Sequence, residues 1–108
     1  MNERKTVDQR MTDSTVISQE ILSCPGNERR PLQDLEFVEL RIDDWTESWS
    51  PGFVVTEWHI RWSEADHQFM WEDEQQERWA SLHTAMNQYE SRRRSLLDQG
   101  FTHSDMDF

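Results

Sequence analysis

The clearest alternation of apolar and polar positions runs through residues 53–62. Val54, Thr56, Trp58, Ile60 and Trp62 fall on one face, and Glu57, His59 and Arg61 on the other. A period of two over this length predicts a β-strand with one buried face. Residues 35–42 predict another, with Val38, Leu40 and Ile42 in step and Phe37 as a further apolar position among Glu36, Glu39, Arg41 and Asp43. The intervening residues 43–52 read as a loop closed by the Pro51-Gly52 turn. After a turn at residues 63–66, residues 67–71 predict a third strand with Phe69 and Trp71 on one face. Three such strands joined by turns make an antiparallel meander.

The period then changes. Leu82, Ala85, Met86, Tyr89, Arg93, Leu96 and Leu97 recur at three and four, which predicts an amphipathic helix. Gly100 stands where a left-handed residue ends a helix, and Phe101 supplies the apolar contact after it. Ser81 fits the N-cap. Asp73 with Gln76 is a capping-box alternative. With Ser81 as the cap, residues 72–80 are left to form a hairpin and a fourth strand through Arg78 and Trp79. Residues 1–33 read as a loosely structured arm, either flexible or a short helix. Asp13-Ser14-Thr15 could cap that helix through Ile17, Ile21 and Leu22, although the same stretch also suits a strand. Cys24-Pro25-Gly26-Asn27 stops it. Residues 102–108 read as a frayed tail. The fold expected is α+β: an arm (1–33), then a domain (34–101) with a three- to four-stranded antiparallel sheet packed on one C-terminal helix. One helix covers one sheet face, and the other is expected to expose Glu57, His59 and Arg61 to solvent or to a partner.

The layout of strands, then Trp79-Ala80-Ser81 into a helix, then Gly100 and Phe101, resembles over residues 37–101 the WGR family of small DNA-end-binding domains. The family's Trp-Gly-Arg run is absent, since Trp62 is followed by Ser63 and Glu64. No site residue is carried over.

Charge changes the picture. The 108 residues carry a formal net charge of −11, with a mean hydropathy of −0.98. Residues 1–33 and 78–108 are each balanced, whereas residues 34–77 hold thirteen carboxylates against Arg41 and Arg61. Five of the six tryptophans lie in that same segment. Acidic charge is therefore expected on the folded part and not on a disordered tail. Such a surface repels nucleic acid and attracts basic proteins. Trp58, Trp62 and Trp71 are expected in the core, because so polar a chain needs its aromatics there.

The lone cysteine, Cys24, forms no internal disulfide and reads as an incidental turn residue. No apolar window is long enough to span a membrane, and residues 1–10 lack a signal-peptide core, so the cytoplasm of a cell or infected host is expected. His59 and His67 with Glu57 or Asp66 could offer metal ligands, but their spacing matches no strong pattern. Asp43-Asp44 and Glu72-Asp73-Glu74 read as solvated charge runs and not as acid–base pairs. No phosphate loop or nucleophile motif is present, and no enzyme activity, metal or cofactor is expected.

The expected function is binding. Asp43, Asp44, Glu47, Glu57, Glu64, Asp66, Glu72, Asp73 and Glu74, with Trp45 and Trp49, are the candidate partner-binding residues. They fit a small acidic inhibitor or adaptor that imitates a phosphate array and occupies a basic surface of a DNA- or RNA-binding protein. Phage antidefence proteins and nuclease immunity proteins work this way as classes. No direct contact with nucleic acid or membrane is expected. One alternative is a recognition module for a cationic peptide, with Trp45 and Trp49 as an aromatic cage. Another is an assembly accessory whose open sheet face forms a homo-oligomer.

Overall fold

The computed structural model describes residues 15–46, 51–106 and 108. In chain order it has β1 (Thr15–Ser23), two short 3-10 turns (Asn27–Arg29 and Leu32–Asp34), β2 (Glu36–Asp44), β3 (Phe53–Ser63), β4 (Gln68–Trp79), α1 (Leu82–Asp98) and β5 (Thr102–His103). The strands form one five-stranded antiparallel sheet in the order β4-β3-β2-β1-β5. The α+β class and the single C-terminal helix are as expected. No helix among the described residues is long and apolar enough to cross a membrane.

The sheet has more strands than the sequence pattern indicated, because both flanks of the expected domain contribute. Residues 15–23 are neither flexible nor helical: β1 pairs with β2 along its length, from Thr15 opposite Asp44 to Ser23 opposite Phe37. The doublets Val16-Ile17 and Ile21-Leu22 fit neither period, and a register shift between Val16 and Ser18 reconciles them with a strand. Leu22 is fully buried by this pairing. Asn27 closes the β1–β2 connection, its amide donating to Ser23 Oγ and to the Glu36 carbonyl. On the other flank, Thr102 and His103 pair with Ser23 and Leu22.

Residues 72–80 are not a separate hairpin strand but the second half of β4. The register runs from Gln68 opposite Ser63 to Trp79 opposite Phe53, with a bulge where Asp73 and Glu74 face Trp58. Asp73 has a φ of 55°, a left-handed conformation that Asp tolerates better than most residues. The extra residue reverses the alternation. Trp71 and Trp79 are both odd-numbered, yet Trp71 pairs with Ile60 and Trp79 with Phe53, on opposite faces.

The helix covers the face that carries Leu22, Val38, Leu40, Ile42 and Val55, against which Ala85, Tyr89 and Leu96 pack. Ser81 is the N-cap, its Oγ accepting from the Thr84 amide at 3.3 Å. At the other end Phe101 N donates to the Leu96 carbonyl and Gly100 N to that of Leu97, with Gly100 at φ +100°. That is the Schellman arrangement.

The two sheet faces are reversed from expectation. Glu57, His59 and Arg61 lie on the helix side, in register with Leu40, Val38 and Glu36. Val54, Thr56, Trp58, Ile60 and Trp62 lie on the face the helix leaves uncovered, beside Phe37, Glu39, Arg41 and Asp43 of β2. The reason is β2: Val38, Leu40 and Ile42 form an unbroken aliphatic row, and the short side chains of that row admit a helix better than a row of indoles. Trp58, Trp62 and Trp71 are consequently not core residues; the first two are half-buried and Trp71 is exposed.

Candidate functional site

The candidate carboxylates do not gather on one face, because consecutive strand residues point to opposite sides. Asp43 is buried on the uncovered face and is held bidentately by Arg41, at 2.8 and 3.0 Å. Asp44, on the helix side, accepts from the hydroxyl and the amide of Thr46, and these bonds hold its carboxyl below the usual aspartate range. Glu57 receives Arg92 of α1 at 3.2 Å, and His59 Nε2 stands 3.8 Å from its other oxygen. These three carboxylates are used within the fold. Glu47 and Trp49 lie outside the described residues.

The remaining five come together on the β3–β4 hairpin. Glu64 and Asp66 sit in the turn: Glu64 accepts from Trp62 Nε1 at 2.8 Å and Asp66 from Ser63 Oγ at 3.1 Å. Glu72, Asp73 and Glu74 follow on β4, an edge strand whose residues 71–78 are all exposed. The bulge sends Glu72 and Asp73 to the Arg61 guanidinium, at 3.1 and 2.8 Å. Glu74 accepts from Gln76 on the same strand. Glu77, which the sequence pattern did not single out, joins this edge and pairs with Arg92. Six carboxylates thus line the hairpin, with Arg61, Arg78 and Arg92 as its bases.

Trp45 is half-buried and its ring faces its own chain's Arg78, whose guanidinium carbon lies 5.5 Å from the ring centroid. The cation–π position expected for a ligand is therefore filled internally. Gly52 makes room for this contact: it accepts the Trp45 amide at 2.8 Å and runs close beneath the Arg78 stem. The metal ligands considered above are also separated. His59 lies beside Glu57 on β3, whereas His67 lies in the turn, edge-on to Trp62. Among the described residues no group of three or more His, Cys, Asp or Glu side chains is placed to hold a metal.

A second feature lies on the uncovered face. Phe37, Trp62, Phe69, Trp71 and Phe108 form a cluster of edge-on rings. Phe108 lies 5.0 Å from Phe37, 5.0 Å from Phe69 and 5.6 Å from Trp71, centroid to centroid. Ile60, in the row between Phe37 and Trp71, is fully buried although no helix covers it. The described residues of the expected frayed tail, 102–106 and 108, are therefore held in place: β5 is tied to the edge of β1, and Phe108 reaches the face the helix leaves uncovered. Glu39 anchors the cluster from below. It is 7% exposed, accepts from Trp71 Nε1 at 2.9 Å and also accepts from Gln19.

Comparison with known protein families, with curated proteins and with solved structures finds no match for this chain. The likeness to the WGR layout thus carries no family membership.

Proposed function

We propose that this protein is a binding protein without catalytic activity that places its acidic β3–β4 hairpin on a basic surface of a nucleic-acid-handling protein, as an inhibitor of the nucleic-acid-mimic type. The observation that carries the reading is the position of β4. It is an edge strand, exposed from 71 to 78, and it presents Glu72, Asp73, Glu74 and Glu77 beside Glu64 and Asp66 of the turn. At about 3.4 Å per residue, the β4 acids from Glu72 to Glu77 stand on average roughly 6 Å apart. A single DNA strand offers one charge per about 3.4 Å. A lysine- and arginine-rich cleft would meet a sparser line of charge of the same sign on a fixed scaffold. The cationic-peptide cage draws no such support, since Arg78 already occupies the Trp45 ring.

Glu64, Asp66 and Glu74 form no ion pair with an arginine among the described residues, and they are the positions to change. Binding of an arginine-rich peptide, measured by calorimetry at low and high salt, is expected to weaken steeply as salt rises. The triple variant Glu64→Gln, Asp66→Asn, Glu74→Gln is expected to lower the low-salt affinity by about tenfold and to flatten the salt dependence. Affinity that ignores both salt and these three substitutions removes the basis of the proposal.

A further inference from the structure

The ring cluster on the uncovered face is the part of the molecule that the hairpin reading does not use. Phe108 meets three rings edge-on there, yet it remains 38% exposed, as does Trp71 beneath it. The attachment of this segment is slight. Among the described residues, its backbone is tied to the sheet by the two residues of β5 and by Ser104 N donating to the Ile21 carbonyl at 2.9 Å. The His103 ring adds one clamp, with Nδ1 2.9 Å from Glu20 and Nε2 3.0 Å from Asp105. A seat shaped for an aromatic side chain is thus filled by a weakly tethered one.

We infer that the seat beneath Phe108 is a docking site for an extended partner segment bearing an aromatic side chain between basic residues, and that Phe108 is its built-in competitor. The aromatic part of the occupant is read from what sits there now. The basic part follows from charge. Phe108 is preceded in sequence by Asp105 and Asp107, on a molecule of net charge −11. Its own neighbours therefore carry the sign that the rest of the molecule repels. The turn beside the cluster holds Glu64, which accepts from the Trp62 indole, and Asp66. A lysine or arginine next to an incoming ring would find carboxylates where the present occupant brings more of them. Displacement then couples an aromatic exchange at the seat to charge pairing at the hairpin. The inference rests on the basic-partner reading above, and adds where that partner's anchor residue would enter.

The test uses the full chain, a synthetic lysine-rich peptide with one central phenylalanine, and the same peptide with alanine in its place. Calorimetry is expected to give at least a fivefold preference for the phenylalanine peptide. A competitor that fills the seat for about nine-tenths of the time lowers apparent affinity about tenfold. Phe108→Ala is therefore expected to raise affinity for the phenylalanine peptide about tenfold and to leave the alanine peptide unchanged. His103→Gln loosens the clamp at the edge of β1 without altering the seat, and is expected to shift affinity in the same direction. Near-ultraviolet circular dichroism checks that both variants keep the native fold. If the two peptides bind all three proteins equally and in a salt-sensitive way, the docking site is refuted while the acidic-surface reading stands. If neither peptide binds at low salt, both are refuted.

Discussion

Arg78 keeps its position over Trp45 because residue 52 has no side chain. A Cβ on Gly52 would stand 2.6 Å from Arg78 Cγ and 2.8 Å from Cδ, and the residue's φ of +148° is itself unfavourable for any other amino acid. Gly52→Ala is expected to displace the guanidinium from the ring and to cost about 1 to 2 kcal/mol. Urea unfolding measures the loss, and a changed Trp emission in the native state reports the displaced cation. Unaltered emission would mean that Arg78 does not define the Trp45 environment. The sequence marks Gly52 as a loop residue, but not the contact it permits, because Arg78 comes from a strand 26 residues away. Glu39 was hidden for a related reason. Alternation marks it as polar and hence solvated, and only the pairing of β2 with β3 and of β3 with β4 brings the Trp71 indole onto it.

At the scale of elements, the helix was the best-read part of the chain. Its period, its Ser81 cap and its Gly100 stop all follow from local chemistry, and local chemistry is what a single sequence displays. What the period does not show is how the helix is fastened at its sides. Arg92 reaches Glu57 on β3 and Glu77 on β4, while Arg93 reaches Glu20 on β1. The two arginines thus pin α1 to both halves of the sheet. In the sequence they look like part of a plain basic run. The Arg92–Glu57 pair is mostly shielded, with side-chain exposures of 23% and 14%. Removing Arg92 leaves the half-buried Glu57 with His59 as its remaining neighbour, so Arg92→Met is expected to cost about 2 kcal/mol. A double-mutant cycle with Glu57→Gln, followed by chemical denaturation, is expected to show a coupling of about 1 kcal/mol. Additive losses would mean that the bridge does not fasten the helix. The β4 strand was the least legible element. A bulge reverses the alternation midway, so its two halves read as unrelated pieces.

For the whole molecule, the sequence exposed the charge imbalance but not its distribution. Acids at odd and even strand positions are sent to opposite faces, and several of them meet arginines from elsewhere in the chain. One cluster ties the two ends of the described fold together: Glu20 of β1, Arg93 of α1, His103 of β5 and Asp105. Burial pushes the Glu20 carboxyl up, but hydrogen bonds and charge from Arg93 and His103 outweigh it and hold the group below the usual glutamate range. Hydrogen bonds to Glu20 and then Asp105 raise His103 above the usual histidine range. A lowered carboxylate adds stability above its ordinary pKa and loses it as pH falls through the lowered value; a raised imidazole adds stability below its ordinary pKa and loses it as pH rises through the raised one. Both contributions are complete only between the ordinary glutamate and histidine values. A stability maximum on the mildly acidic side is therefore expected, where the net negative charge has also begun to fall. His103→Gln removes the imidazole contribution alone. Thermal melting across this range is expected to show wild type ahead of the variant at mildly acidic pH, with the gap closing as pH rises through the raised histidine value. A gap that stays constant with pH would show that the His103 clamp is not what holds β5 against β1.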